Sequence, residues 1–331
     1  MSVSRRDLVV GAGVAGLGLV AGCGRLPGQA EPPAKVPRIG VLSQSADPSD
    51  PDNAAFRQGL RELGYSEGHN ITLEWRSFDS HIDQLPELAS DLVSLSVDVI
   101  VIQGTAPALA AKQATTTIPV VIAYGPDPVR FGLVASLARP GGNVTGLTSF
   151  SSLLGAKRLE LLRDAVPSLA RVAILWNPEI GERAFEEMAG AAQALGLGLQ
   201  SVELRAGEDL DAAFQGILQG RADALYVQGN RVANGYIPEI GEFATAHRLP
   251  TMVNRREFVA AGCLMSYGAD IPALNRRAAY YVDRILRGAK PADLPVEQPM
   301  TFEFVVNMKT ARELGITFPS EILLQITDVI Q

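Results

Sequence analysis

The amino-acid sequence predicts an α/β protein built from two doubly wound, Rossmann-like halves. Three observations support this fold class. Short runs rich in Val and Ile alternate with helical segments, which is typical of buried parallel strands covered by helices. The order of segments that begins at Arg38 begins again at Arg171. The chain has 331 residues, which is more than one ordinary domain needs.

In the first half, each apolar run ends at a turn signal, and helical patterns lie between the runs. The segment 53–63 has Phe56, Leu60 and Leu63 on one helical face, and Gly64 follows it. We expect strands at 38–43, 71–76, 99–102 and 120–123, a further strand near 145, and helices at 53–63, 85–95 and 106–114.

The second half repeats this pattern in the same order. RVAILW at 171–176 corresponds to RIGVLS at 38–43, and RADALYVQGN at 221–230 corresponds to SVDVIVIQGT at 96–105. Further strands are expected at 199–205, 248–254, 264–267 and 301–307, with helices at 271–286 and 307–314.

The last third of the chain decides the lobe boundaries. Its segments predict three passages of the chain between the two halves, and such crossings form a hinge. We therefore assign residues 38–148 and 263–296 to a first lobe, and residues 149–262 and 297–331 to a second lobe.

The N-terminus carries a glycine motif that lacks its structural context. Residues 8–19 contain a literal G-x-G-x-x-G. A dinucleotide fingerprint also needs a preceding strand and a following helix, and here several glycines and prolines follow instead. The sequence therefore predicts no dinucleotide cofactor at this segment.

An export signal accounts for the same residues. Arg5 and Arg6 precede an uncharged run, 8–22, which would span only ~22 Å as a helix, short of the ~30 Å hydrocarbon core. The run ends in a sequence like a bacterial lipoprotein box at Cys23. We expect residues 1–22 to be a twin-arginine-like signal, Cys23 to carry lipid and residues 23–37 to be an extended tether.

Composition and charge argue against several function classes. The formal net charge is −7 without a basic stripe, so nucleic acid is not an expected partner. The two cysteines and three histidines do not have metal-ligand spacing, so we expect neither a metal site nor a cofactor. With Cys23 lipidated, Cys263 remains a single buried thiol, which is inert by default.

Polar and aromatic residues follow the predicted strands of both halves at corresponding positions. Loops after the carboxyl ends of parallel strands line the ligand crevice of such sheets. We interpret Trp176 as a core residue and Tyr124 as an exposed aromatic. The loop residues that correspond between the halves are Ser43 and Gln44 with Trp176 and Asn177, Thr105 with Asn230, and Tyr124 to Asp127 with Asn254 and Arg255.

Two of these residues have a purely structural alternative. Thr105 precedes the helix expected from Ala106, and Asp127 precedes Pro128 at a favoured first helical position. Both residues are therefore equally well explained as helix caps.

Several stretches resemble the substrate-binding proteins of bacterial ABC importers, in the group typified by tryptophan and tyrosine uptake proteins. Among these stretches are FRQGLRELGYSEGHNITLEWR, VDVIVIQGTAPALAAKQATTTIPVV, KRLELLRDAVPSLARVAILWNP and FEFVVNMKTARELGI, and the similarity runs from Arg38 to the C-terminus. The resemblance implies a type I periplasmic-binding fold, delivery of a captured solute to a membrane permease, and no catalysis. It places ligand contacts at Ser43, Thr105, Asp127, Asn177, Asn230, Asn254 and Tyr267.

We therefore expect an exported, lipid-anchored and monomeric solute receptor on the periplasmic or cell-surface face. A ligand carboxylate would suit the helix start at Thr105, Asp127 would suit an ammonium group, and Tyr124 would cover an apolar side chain. This favours an aromatic or branched amino acid. The alternatives are a ligand sensor for a signalling partner and, less favoured, an α/β enzyme, because no G-x-S-x-G motif is present.

Overall fold

The computed structural model describes residues 35–79, 81–125, 127–149, 154–178, 182–205 and 210–331, with only the backbone described at 182–184 and 231. The predicted export signal at 1–22, the lipidation site Cys23 and the tether up to residue 34 lie outside the described residues.

The first lobe contains a five-stranded parallel sheet of order β2-β1-β3-β4-β5. Its elements in chain order are β1 (Arg38–Ser43), α1 (Pro51–Glu62), β2 (Thr72–Ser77), α2 (Leu85–Ser94), β3 (Val99–Gln103), α3 (Thr105–Ala114), β4 (Val120–Tyr124) and β5 (Val144–Gly146).

The second lobe contains a seven-stranded sheet of order β12-β11-β10-β9-β8-β6-β7, in which only the β10–β11 pair is antiparallel. The elements up to its fifth strand are α4 (Gly155–Ala165), β6 (Arg171–Trp176), α5 (Glu182–Ala194), β7 (Gly198–Glu203), α6 (Leu210–Gln219), β8 (Ala224–Val227), α7 (Arg231–Asn234), α8 (Ile237–Ala246), β9 (Thr251–Val253), α9 (Arg256–Ala260) and β10 (Met265–Ala269). The chain then continues through α10 (Ile271–Leu286), β11 (Phe302–Asn307), α11 (Met308–Leu314), α12 (Ser320–Leu323) and β12 (Asp328–Ile330).

The strand order confirms the predicted duplication. The first five strands of each lobe follow the same arrangement, β2-β1-β3-β4-β5 and β7-β6-β8-β9-β10. The chain passes between the sheets after β5, after β10 and again between α10 and β11. The fold class predicted from the sequence, two doubly wound halves joined by three crossings, is confirmed.

One lobe boundary lies later than expected. The sequence interpretation assigned residues from 263 onward to the first lobe, but β10 pairs with β9 and belongs to the second sheet. The chain returns to the first lobe with α10, which packs along α1. This approach is close, since a Cβ at Gly59 would lie 2.3 Å from the carbonyl oxygen of Arg276.

Apolar side chains fill both faces of each sheet, as expected for parallel strands covered by helices. In β1, Ile39 and Val41 point to one core while Leu42 points to the other. In β6, Val172 and Ala173 divide between two cores in the same way. Across the described residues, no helix is both long enough and apolar enough to span a bilayer.

Candidate functional site

The two lobes enclose a cavity of about 380 Å³ at the carboxyl ends of their parallel strands. Gln44 follows β1, and Thr105 follows β3. In the second lobe, Asn177 follows β6 and Asn254 follows β9. The cavity therefore lies where doubly wound sheets hold their ligands, and equivalent loops of the two halves face each other across it.

Seven of the nine predicted ligand residues line this cavity, namely Gln44, Thr105, Tyr124, Asp127, Asn177, Asn230 and Asn254. Ser43 and Tyr267 do not belong to the lining. That any of the seven contacts a ligand stays a prediction.

Ser43 and Tyr267 make contacts within the protein. Ser43 is fully buried at the end of β1, and its hydroxyl donates to the carbonyl oxygen of Ser45 at 2.6 Å. Tyr267 stacks on Phe302 with ring centroids 5.8 Å apart and meets Phe304 edge-on. The antiparallel pairing of β10 with β11 creates this aromatic cluster, and Tyr267 packs against the second-lobe core.

Thr105 is the first residue of α3 rather than its cap. The N-cap is Gly104, whose φ of 107° is a conformation that favours glycine, and it supplies no side-chain capping bond. The first N–H groups of α3 are therefore left without a side-chain acceptor at the edge of the cavity.

Asp127 precedes a series of turns, not the helix expected at Pro128. Its Oδ1 accepts hydrogen bonds from the backbone N–H groups of Val129 and Arg130, both at 3.0 Å. Within the described part of the chain, Oδ1 accepts all the hydrogen bonds made to the Asp127 side chain. The capping role inferred from the sequence is thus present in a turn, and Oδ2 remains available to a ligand.

Asparagine and glutamine side chains form much of the second-lobe wall. Asn230 caps α7, because its Oδ1 accepts from the N–H of Ala233 at 3.0 Å. In contrast, the amide oxygens of Gln228, Asn234 and Asn254 accept no hydrogen bond from any described residue. Buried amide oxygens without a partner are uncommon, so these side chains offer polar groups that a ligand can satisfy.

Apolar side chains form part of the first-lobe wall. Phe78 belongs to the core between the sheet and helices α2 and α3, and Ile82, Leu109 and Phe131 pack against the same core. All four also line the cavity. The first lobe therefore gives the cavity an apolar patch beside its polar residues Gln44, Thr105 and Asp127, and the second lobe gives it amide side chains.

Arg158 is a cavity residue that the sequence analysis missed. It lies on α4 and is only 2% exposed. Its Nε donates to the carbonyl oxygen of Tyr267 at 2.6 Å, and Nη1 lies 3.3 Å from the Tyr226 hydroxyl. The one available signal was an arginine on the same helical face as Leu162, where an amphipathic helix would carry an apolar residue.

Arg255 connects the two lobes at the cavity. Its Nη2 lies 3.2 Å from Oδ2 of Asp52 in the first lobe and 2.9 Å from Oε1 of Glu257 in its own lobe. Burial, together with the neighbouring Asp52 carboxylate, raises the pKa of the Tyr124 hydroxyl to about 12. Tyr124 is therefore a neutral phenol at neutral pH.

No group of His, Cys, Asp and Glu side chains within the described ranges could hold a metal ion. Cys263 is fully buried, and its burial raises the pKa of the thiol to about 12. The thiol therefore stays protonated and has no part in the cavity chemistry.

Comparison with known proteins agrees with this geometry. A family model for ABC transporter substrate binding proteins matches residues 40–330. A tyrosine-binding protein of Clostridioides difficile strain R20291 is 26% identical over 315 residues, which are 92% of this chain and 90% of that protein.

Two solved structures are similar at the same level of identity. An ABC domain from Streptococcus pneumonia in complex with L-Trp is 26% identical with a TM-score of 0.79, covering 88% of this chain and 100% of that one. A ligand-free, open substrate-binding protein with adhesive properties from Clostridium difficile is 26% identical with a TM-score of 0.67, covering 89% and 100%.

The two-lobed architecture and the cavity between the lobes define a type I periplasmic binding protein. The chain belongs to the family of ABC transporter substrate-binding proteins. This confirms the resemblance found in the sequence. Members of this family act outside the cytoplasm, bind a small molecule and work with a membrane permease.

Proposed function

We propose that this protein captures an amino acid with an aromatic or branched apolar side chain between its lobes and delivers it to an ABC permease. The observation that carries the proposal is that the cavity combines an apolar patch and polar strand-end groups of the first lobe with amide side chains of the second lobe. A molecule with an apolar body and a polar head matches this combination.

The polar groups suit the two charges of an amino acid. The N–H groups at the start of α3, with the Thr105 hydroxyl, favour a carboxylate. Oδ2 of Asp127 is a carboxylate oxygen on the cavity wall and suits an ammonium group. The amides of Gln228 and Asn254 orient the ligand without adding charge.

The similar proteins support the same ligand class. One relative is a tyrosine-binding protein, and one similar structure contains L-Trp. Phe78, Phe131 and Tyr124 all line the cavity, and these three rings favour an aromatic side chain over a small one.

The rest of the proposal concerns where and how the protein works. Lipid on Cys23 would hold it at the membrane surface, and the tether would leave the lobes free to meet the permease. The protein would act as a monomer and would release its ligand chemically unchanged, as a carrier does and an enzyme does not.

A thermal-unfolding screen tests the ligand class. The screen compares the aromatic and branched L-amino acids with small organic acids and with D-ribose. A ligand at about a hundred times its dissociation constant adds ~2.7 kcal/mol to the unfolding free energy, so binding is easily seen. Stabilisation by aromatic or branched amino acids alone supports the proposal, and stabilisation by only the sugar or the organic acids contradicts it.

A further inference from the structure

A carboxyl group of the first lobe is buried against the second lobe without full hydrogen bonding. Asp52 lies in the first turn of α1, is 5% exposed and does not line the cavity. Its Oδ2 accepts from Arg255 at 3.2 Å, whereas Oδ1 accepts from none of the described residues. Arg255 makes shorter hydrogen bonds to Glu257, at 2.9 and 3.1 Å. An ionised Asp52 is therefore poorly satisfied in this conformation.

The charges around Asp52 do not compensate for its burial. Asp50 caps the same helix, and Glu257 shares Arg255 with Asp52. Tyr124 on β4 is neutral. Helix α10, which packs along α1, presents its Arg276 to Glu62 at the far end of α1. Asp52 therefore shares Arg255 with Glu257 and has a second carboxyl group, Asp50, nearby.

The electrostatic balance agrees with this geometry. The pKa of Asp52 is raised from its ordinary value of 3.8 to about 6, mainly by burial and also by Asp50 and Glu257, while Arg255 opposes the shift. When the lobes separate, Arg255 leaves and Asp52 regains contact with water, so its pKa returns toward the ordinary value. The closed state therefore binds a proton more tightly than the open state does.

We propose that Asp52 is a positioning residue that acts on the cavity through Arg255 and links closure of the lobes to uptake of one proton. Protonated Asp52 needs no charged partner, so Arg255 can pair with Glu257 alone. Ionised Asp52 makes closure less favourable, because a carboxylate oxygen without a donor is then buried. The protein consequently holds its ligand more tightly in an acidic medium and more loosely near neutral pH.

This inference rests on the proposed function, because it requires a ligand that closes the cleft. The expected size follows from proton linkage. With a pKa of about 6 when closed and 3.8 when open, affinity at pH 5.0 should be about tenfold higher than at pH 7.5. Because the pKa of Asp52 is raised in the closed state, protonation of Asp52 favours closure at low pH. This stabilisation of the closed state is lost as the pH rises through about 6.

Calorimetric titration of the full chain with L-tyrosine and L-tryptophan at pH 5.0 and pH 7.5 tests the link. Both amino acids keep the same charge over this interval, and none of the three histidines lines the cavity. The wild type should bind about tenfold more tightly at pH 5.0. The Asp52→Asn variant imitates the protonated carboxyl group, so its affinity should be the same at both pH values and at least as high as that of the wild type at pH 5.0.

Two further variants separate this role from a general structural one. Asp91→Asn removes a surface carboxylate that pairs with Arg76 outside the cavity, and it should keep the wild-type pH profile. In Glu257→Gln, Asp52 is the remaining carboxylate partner of Arg255. The pKa of Asp52 should therefore be lower, and the pH dependence of ligand affinity should shift toward more acidic values. This second variant tests the link even if Asp52→Asn folds poorly.

The outcomes are distinct. Equal wild-type affinity at the two pH values, or a pH effect that persists in Asp52→Asn, would overturn the link while leaving the proposed function intact. If no aromatic or branched amino acid binds at either pH, the proposed function is contradicted. The proposed coupling between closure and protonation of Asp52 is then contradicted as well.

Discussion

Replacement of Asp127 by Asn separates the two roles of this residue, capping a turn and binding a ligand. Oδ1 accepts two backbone hydrogen bonds of 3.0 Å, and an Asn side chain keeps an oxygen at the same place. Asp127→Asn should therefore change the unfolding free energy little. Asp127→Ala removes the acceptor and should cost about 1 kcal/mol, the usual effect of losing such a cap. Urea denaturation of the three proteins measures both values.

Ligand binding should respond differently. If Oδ2 pairs with the ammonium group of an amino acid, Asp127→Asn removes a charge-assisted contact worth about 2 kcal/mol or more. This corresponds to roughly a 30-fold increase in the dissociation constant, measured by titration calorimetry. The matched control is the same amino acid without its amino group, which should bind the wild type and the variant alike. An affinity of Asp127→Asn within threefold of wild type would refute the ammonium contact and leave only the cap.

Three further predictions concern other parts of the molecule. Cys23→Ser should release the exported chain from the membrane fraction and remove the lipid mass, and a wild-type protein that is already soluble and unlipidated would contradict the anchor. Small-angle scattering should show a smaller radius of gyration with saturating ligand than without it, because the three crossings form a hinge; an unchanged radius would argue against closure. Cys263 should not react with a thiol reagent in the folded protein and should react fully in denaturant, since burial raises its pKa to about 12. Rapid labelling of the native thiol would show that the second-lobe core opens.

Much of the fold could be predicted because continuous apolar runs determine it locally. The runs at 38–43 and 171–176 became β1 and β6, and the residues after them line one cavity, since parallel strands end at the same edge of a sheet. The same reasoning brought Thr105 and Asn230 together from opposite lobes. The sequence duplication was sufficient to predict this placement, because the placement depends only on the order of the strands and helices.

The contacts that could not be predicted join distant parts of the chain. Tyr267, predicted to contact the ligand, packs against Phe302 and Phe304, which come from an antiparallel strand about 35 positions later. The ion pair of Arg255 with Asp52 joins residues 203 positions apart, and no local sequence pattern predicts it. At Asp127 the capping chemistry was recognised, but turns follow instead of a helix.

The central claim is that this protein binds an amino acid in the cavity between its lobes, and a paired titration tests it most directly. Gln44 lines the cavity, whereas Gln58 lies on the exposed face of α1 and bonds Glu62 and Arg61. The wild type should bind an aromatic or branched L-amino acid at one site. Gln44→Ala should weaken this binding by about 1 kcal/mol, close to fivefold, and Gln58→Ala should leave it unchanged. Absence of binding to all these amino acids, or equal losses in the two variants, would contradict the account.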